Sequence, residues 1–324
     1  MSDDHRPDEA MVLVTPPFDA PDADIILCSS DGADIRTHKF ILSFISPVFK
    51  TMLSLPQPSD ETTTPSSPLP TITMEEDRNI LEKLLRPCYP SFDMSFDSFD
   101  DVKGVVGAAV KYDMQSVLVR LKKWIFTSSL FQTDPLAFYV MSCVQGWEAE
   151  ARLSAAETLE VVDFKRGANH YTPGLEDTSA GIYYRLVTYH ARCSAAARAT
   201  MQDLRWFNER LKDAFTRTRC SDKACPKVRL GACFWIGLDY VYDLPKWFHT
   251  YLHDVEEELF FRPCASTVTK SKSFNTALLT GASCNHCREH LVGKLHEIQD
   301  AFTARVARVI SQIQLEFVPP AQKI

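Results

Sequence analysis

The stretch from Asp24 to Leu53 constrains the fold more than any other part of the chain. Its apolar run, Asp24 to Cys28, leads to Asp31-Gly32, and an Asp-Gly pair is a strong hairpin-turn signal. The alternating residues from Ile35 to His38 predict the returning strand. Ser46-Pro47 indicates a helix start, because serine can accept from free amides and proline loses nothing at the first helical position. We therefore expect a β-hairpin that leads into short helices.

Apolar spacing predicts further short elements up to residue 127. One apolar helix face is expected from four residues at helical spacing: Phe40, Ile41, Phe44 and Ile45. Thr71 to Met74 alternates like a strand. Asp77 and Asp113 each precede an apolar run at helical spacing, so both are predicted to cap a helix.

Two segments lack the composition of regular structure. Residues 1–21 are acidic and Pro-rich, which is typical of a flexible leader. Residues 55–70 contain five prolines, and this composition opposes both helix and sheet. The second segment is therefore predicted to be a mobile surface insertion.

The stretch that opens this region resembles the beginning of a BTB/POZ domain. These segments carry the likeness, in matching order and spacing: Asp24-Ile25-Ile26, Asp31-Gly32, His38-Lys39 before Leu42-Ser43, Ser46-Pro47-Val48-Phe49, and Met52-Leu53. Further along, these segments fit the same domain: Thr71 to Met74, Leu84-Leu85-Arg86, Tyr89-Pro90, and Ala109 to Met114. The resemblance covers residues 22–127. It implies a compact α+β interaction domain, with a short sheet flanked by helices, that commonly dimerises and in some members docks a cullin-type ubiquitin-ligase scaffold.

The chain beyond this domain is predicted to be mainly α-helical. Residues 128–168 are similar to the helical extension that often follows BTB domains, and residues 169–324 are expected to form a helical C-terminal domain. The turn-rich segment from Asn169 to Gly174 is the predicted boundary. This layout resembles fungal BTB-domain proteins with a cysteine-bearing C-terminal region.

The cysteines and the N-terminus bear on where the protein works. Ten cysteines lie at irregular spacings, and the acidic opening does not resemble a secretory signal peptide. The thiols are therefore expected to be reduced, in a protein of the cytoplasm or the nucleus or both. No apolar run approaches the length of a membrane span, so a soluble protein is expected.

Two cysteine pairs are the candidate metal ligands, and the metal would be one structural zinc ion. Cys220 and Cys225 form one pair, and Cys284 and Cys287 the other, with His286 nearby as an alternate. Zinc prefers four soft ligands in a tetrahedron, and pairs with two to four residues between the ligands suit one turn. His290 is a further alternate ligand. The other interpretation is four unrelated reduced cysteines.

The charge distribution leaves one alternative function open. Residues 1–203 carry 18 Lys and Arg against 29 Asp and Glu, whereas residues 204–324 carry 17 against 13. The basic run from Arg205 to Arg229 contains Trp206, Phe207 and Phe215, which could stack on single-stranded nucleic acid. The same spacing also fits an ordinary amphipathic helix, so nucleic acid is not the expected partner. The alternative function is a nucleic-acid-associated transcriptional regulator.

Isolated histidines do not assemble into a catalytic constellation. His38 lies at a strand-to-helix junction, where a structural role is expected. His249 and His253 resemble a zinc-protease pair, but Thr250 stands where the catalytic glutamate must follow the first histidine. The expected function is therefore a non-enzymatic adaptor that binds other proteins, either through self-association or by docking a cullin.

A cluster of aromatic residues is expected to form the C-terminal core around the cysteines: Trp235, Tyr240, Tyr242, Trp247, Phe248 and Tyr251.

Overall fold

The computed structural model describes residues 16–55, 69–90, 93–164, 171–206, 220–230, 242–270 and 272–320. The chain divides into two compact units between Thr133 and Asp134. Most of the predicted leader and of the Pro-rich insertion lies outside the described residues, as do Trp235 and Tyr240. Within the described ranges, no helix has the length and apolar character needed to cross a membrane.

The N-terminal unit has the α+β fold that the sequence predicts. A three-stranded sheet has the order β2-β1-β3, in which β1 is antiparallel to β2 and parallel to β3. The strands are β1 (Ile25–Cys28), β2 (Asp34–Thr37) and β3 (Thr71–Thr73), and the helices are α1 (Lys39–Ile45), α2 (Pro47–Ser54), α3 (Arg78–Leu85), α4 (Phe99–Lys111), α5 (Gln115–Ile125) and α6 (Ser129–Thr133). A 3-10 turn, Arg86–Cys88, follows α3.

The predicted hairpin forms at Asp31-Gly32. Gly32 has a φ of 82°, a left-handed conformation that glycine adopts without steric cost. The Ser29 hydroxyl accepts from the backbone N–H of Ala33 at 2.8 Å and closes the turn. In β2, Ile35 and Thr37 are buried while their neighbours are exposed, so one face of the hairpin lies against the core.

The Ser-Pro motif starts α2 and joins it to the end of α4. The Ser46 hydroxyl accepts from the Phe49 backbone N–H at 3.0 Å and donates to the Tyr112 carbonyl oxygen at 2.5 Å. The rings of Phe49 and Tyr112 stack with centroids 4.8 Å apart. Phe49 has no solvent exposure, so this short motif fixes a core contact between elements distant in sequence.

One of the two predicted helix caps is wrong. The Asp77 carboxylate accepts from the Ile80 N–H at 2.8 Å and caps α3, as predicted. Asp113 does not cap α5, because Met114 occupies the cap position of that helix. Asp113 instead takes a left-handed conformation, with a φ of 49°, in the tight turn between α4 and α5.

The C-terminal unit is mostly helical, as predicted, with one strand pair that the sequence analysis missed. Its helices are α7 (Pro135–Val144), α8 (Glu148–Val161), α9 (Ala180–Gln202), α10 (Lys246–Phe261), α11 (Ala265–Lys270), α12 (Lys272–Ala282) and α13 (Asn285–Ser311), with a 3-10 turn at Pro173–Leu175. The antiparallel strands are β4 (Lys227–Leu230) and β5 (Tyr242–Pro245). β4 begins two residues after Cys225, and β5 ends directly before α10.

Two apolar clusters form the core of this unit. One joins α7, α8 and α9, where Tyr139 is buried and its hydroxyl donates to the Ile182 carbonyl at 2.9 Å. The other joins the end of α9 to α10, α12 and α13, and it contains Phe248, Tyr251 and Phe302. Cys220, Cys225 and Cys287 belong to this second cluster. The prediction that aromatic residues surround the cysteines is confirmed for those of α10.

Candidate metal centre and interaction surface

Two turns bring the cysteine pairs to their positions. Cys220 and Cys225 flank a turn before β4, in which the Asp222 carboxylate accepts from the Ala224 N–H at 2.8 Å. Cys284 is the N-cap residue of α13, and Cys287 lies in the first turn of that helix. Each pair is therefore held by local backbone structure, and the packing of the unit brings the two pairs together.

The four sulfur atoms form a compact cluster. All four lie within 4.8 Å of one another. The Sγ atoms of Cys220 and Cys284 are 3.5 Å apart, and those of Cys225 and Cys287 are 3.8 Å apart. A disulfide would need about 2.05 Å, whereas four thiolates at about 2.3 Å from one zinc ion lie about 3.8 Å from each other. The spacing therefore fits tetrahedral metal binding, and these four residues could hold one metal ion.

Burial and a helix terminus act in opposite directions on these thiols. Burial raises the pKa of the Cys225 thiol to about 11, and it also raises the pKa of Cys287. The backbone N–H of Cys287 stabilises the Cys284 thiolate and lowers its pKa. Because a metal ligand must be a thiolate, binding of a cation would offset the cost of charging the two buried thiols.

His286 does not join the cluster. The His286 Nδ1 lies 3.3 Å from the Ser221 hydroxyl, and only cysteines form the group of four. The side chain of His290 lies outside the described residues. Four protein sulfurs would leave a bound ion no open position, which is typical of structural zinc sites.

A second candidate site is an exposed aromatic patch on α1 of the N-terminal unit. Phe40 and Phe44 are 78% and 81% exposed, and their rings stack with centroids 6.1 Å apart. Of the residues in α1, only Leu42 is buried. The helical spacing correctly predicts that Phe40 and Phe44 share a face, but this face is turned to solvent. We call this pair the Phe40–Phe44 patch.

His38 contacts neighbouring side chains where β2 leads into α1, whereas His249 and His253 line a cavity. The His38 Nδ1 lies 3.2 Å from the Tyr89 hydroxyl, which also lies 2.7 Å from the Thr37 hydroxyl. The volume of this cavity, which Glu256 also lines, is about 310 Å³. The Glu256 carboxylate accepts from Arg198 at 2.9 Å and from Gln202 at 2.6 Å.

The basic run is only partly within the described residues. Its portion from 207 to 219 lies outside them. Arg205 makes an ion pair with Asp203 at 2.6 Å, and the ring of Trp206 packs edge-on against Phe302. No observation on the described residues favours nucleic-acid binding, and the transcriptional-regulator alternative is without support.

Two features of the C-terminal unit escaped the sequence analysis. Tyr251 is buried, and its hydroxyl has no hydrogen-bond partner among the described residues. Asp254, one helical turn further along α10, lines the same cavity as Tyr251. Their spacing of three residues on one helix predicts that they share a face. The cavity that they line is formed only together with α12, which the spacing does not indicate.

Comparison with known proteins assigns the N-terminal unit to a family. Residues 20–129 match the BTB/POZ domain model, which covers about a third of the chain. No curated protein matches the sequence. The N-terminal unit therefore contains a BTB/POZ domain, which is a module for protein–protein interaction, and a mostly helical region follows it. The likeness to fungal proteins with a cysteine-bearing C-terminal region stays a prediction.

Proposed function

We propose that the protein is an adaptor that self-associates through the BTB/POZ domain and is held together in its C-terminal region by one structural zinc ion. The observation that supports self-association is the Phe40–Phe44 patch on a domain type that commonly forms homodimers. Complete burial of one Phe side chain contributes about 1.5–3 kcal/mol. In a symmetric pair each chain buries the same patch, so both phenylalanines of both chains contribute.

Replacement of both aromatic residues tests this contact. We expect the full chain to dimerise at tens of micromolar, and the double variant Phe40→Ser, Phe44→Ser to bind its own kind at least ~100-fold more weakly, because the buried aromatic surface is lost. Sedimentation velocity over a concentration series measures the change. Leu279→Ser is the matched control, since Leu279 is 77% exposed but lies in the C-terminal unit. A strictly monomeric parent chain, or a double variant that still dimerises normally, would contradict the proposal.

A cullin-type scaffold is the second partner that we propose for the domain. BTB domains bind cullins in general, and the resemblance of residues 22–127 extends this expectation to the present chain. Size-exclusion chromatography of the full chain mixed with a purified cullin N-terminal fragment tests it. Co-elution in a stable complex is expected, and separate elution at tens of micromolar would exclude the cullin as a direct partner.

The spacing and burial of Cys220, Cys225, Cys284 and Cys287 support the proposed zinc ion. Metal analysis of protein purified without a metal-affinity step should give about one zinc per chain. Substitution by Co²⁺ should give the intense near-ultraviolet absorption of cobalt bound to thiolates. A folded preparation free of metal, which also fails to take up zinc or cobalt, would defeat the proposal.

Metal affinity is expected to depend steeply on pH. The pKa of Cys225 is raised to about 11 and that of Cys287 is raised as well, so both are protonated thiols at neutral pH in the absence of metal. Binding must therefore release protons, and affinity should rise at least ~10-fold for each pH unit between 6 and 8. Competition with a zinc-binding dye across this range measures the slope, and an affinity independent of pH would argue against thiolate ligands.

A further inference from the structure

A cavity lies beside the cysteine cluster, and none of the sites above uses it. Its volume is about 300 Å³, which is at the lower end of the range for ligand pockets. Cys225 and Cys284 form part of its wall, and residues of α10 and α12 form most of the remainder. The cavity therefore shares a wall with the proposed zinc centre.

Two aromatic side chains of α10 line this cavity. Trp247 and Tyr251 are 6% and 1% exposed. The Tyr251 hydroxyl is buried and has no hydrogen-bond partner among the described residues. A buried polar group without a partner is destabilising, so a ligand that supplies a hydrogen bond to it would be favoured. The ring faces also attract cations.

The polar groups on the facing wall accept hydrogen bonds. The Thr276 hydroxyl donates to the Lys272 carbonyl at 3.1 Å, and the Thr280 hydroxyl donates to the Thr276 carbonyl at 2.7 Å. Because their hydrogens are already used, these hydroxyls have only acceptor sites to offer a ligand. Asp254 adds a half-buried carboxylate that makes no ion pair with any described residue. Asp254 and the two threonine hydroxyls are therefore suited to a donor that carries positive charge.

The net charge around the cavity is negative when zinc is bound. Four thiolates outweigh the two positive charges of the ion, so the centre carries two negative charges, and Asp254 adds a third. Lys246 is the cation on the same lining, and it is exposed. It lies eight residues before Asp254 on α10, which corresponds to about 12 Å along the helix. Among the described residues Lys246 and Asp254 form no ion pair, and physiological salt weakens the interaction between their charges.

We propose that this cavity binds a lysine or arginine side chain of a partner polypeptide. The aliphatic stem of that side chain packs against Trp247, Tyr251 and Ala277, and its charged head reaches Asp254 and the threonine hydroxyls. A long basic side chain has this combination of an apolar stem and a cationic end. The inference deepens the proposed adaptor function, because it gives the C-terminal unit a recognition site separate from the BTB/POZ domain.

Labelled peptides test the assignment on the zinc-loaded full chain. The probes are fluorescein-labelled peptides Gly-Ser-X-Ser-Gly in which X is lysine, arginine, glutamine or glutamate, and fluorescence polarisation reports binding. The lysine and arginine peptides should bind about tenfold more tightly than the glutamine peptide, and the glutamate peptide more weakly still. Asp254→Asn should reduce the tenfold preference to less than about twofold.

Glu257→Gln provides the matched control, because Glu257 is an exposed carboxylate on the same helix that does not line this cavity. It should leave the preference for the basic peptides unchanged. Thr280→Val tests the facing wall with a side chain of the same shape, and it should weaken the basic peptides alone. Circular dichroism and zinc content of each variant show that the fold is retained.

Three results would overturn the inference. The first is equal binding of the lysine and glutamine peptides, and the second is a preference for basic peptides that survives in Asp254→Asn. The third is displacement of the peptide by free cadaverine at equal concentration, which would assign the cavity to small amines. Sedimentation of the same preparation tests the proposed self-association independently of peptide binding. A chain that dimerises and binds zinc but shows no preference for basic peptides contradicts only the cavity assignment.

Discussion

Replacement of Cys287 by serine is expected to remove the metal and to unfold much of the C-terminal unit. Cys287 is 2% exposed, its sulfur lies 3.8 Å from that of Cys225, and it belongs to the same apolar cluster as Phe248 and Phe302. A ligand that binds only the folded state stabilises it by about 4 kcal/mol when present at a thousand times its Kd. Loss of zinc would therefore cost at least ~4 kcal/mol, which is a large part of the stability of a typical domain.

The measurement combines zinc content with chemical unfolding followed by circular dichroism. Cys264→Ser is the matched control, because Cys264 is also buried but lies away from the cluster. Its sulfur is 3.1 Å from the Thr267 hydroxyl and 3.3 Å from the Ser266 hydroxyl, so a serine finds polar partners there. The control should keep its zinc and lose no more than about 1 kcal/mol. Normal zinc content in Cys287→Ser would show that Cys287 is not a ligand.

Replacement of Phe49 by alanine is expected to destabilise the BTB/POZ domain by about 3–5 kcal/mol. Phe49 has no exposure, and its ring stacks on Tyr112 at 4.8 Å. The truncation leaves a cavity between α2 and the end of α4, where Ser46 also bonds the Tyr112 carbonyl. The expected readout is an early unfolding transition of the N-terminal unit in thermal or urea denaturation.

Phe44→Ala is the informative comparison for this experiment. Phe44 is 81% exposed, so its truncation should change the free energy of unfolding of the monomer by less than about 0.5 kcal/mol. It should nevertheless weaken self-association, because its ring belongs to the Phe40–Phe44 patch. A large loss of monomer stability in Phe44→Ala, or none in Phe49→Ala, would contradict the roles that we assign to the exposed Phe44 and the buried Phe49.

Local signals predicted most elements of the N-terminal unit correctly. Asp31-Gly32 forms the turn, Ser46 and Asp77 cap their helices, and Thr71 to Thr73 forms a strand. These features depend on neighbours within a few residues, so their sequence pattern contains the physical cause. Asp113 shows the limit, because it precedes an apolar run at helical spacing and yet takes a left-handed conformation between α4 and α5 without capping α5.

The strand pair of the C-terminal unit was missed for a different reason. β4 does alternate charged and apolar residues, Lys227-Val228-Arg229-Leu230, but over four residues only, the shortest run that predicts a strand, and its cations also belong to the basic run. Residues 231–241 separate β4 from β5, and the sequence alone does not show that the two strands pair. Such pairing depends on contacts made elsewhere in the fold, which no local pattern contains.

The sequence by itself determined the BTB/POZ character of the first third of the chain, the helical character of the remainder, and the two cysteine pairs as candidate ligands. Only the tertiary structure decided that Cys220 and Cys225 meet Cys284 and Cys287, and that Phe40 and Phe44 face solvent. The physical reason is the range of the interactions. Turns, caps and helical faces follow from neighbouring residues, whereas the convergence of ligands and the exposure of a helix face depend on how distant elements pack.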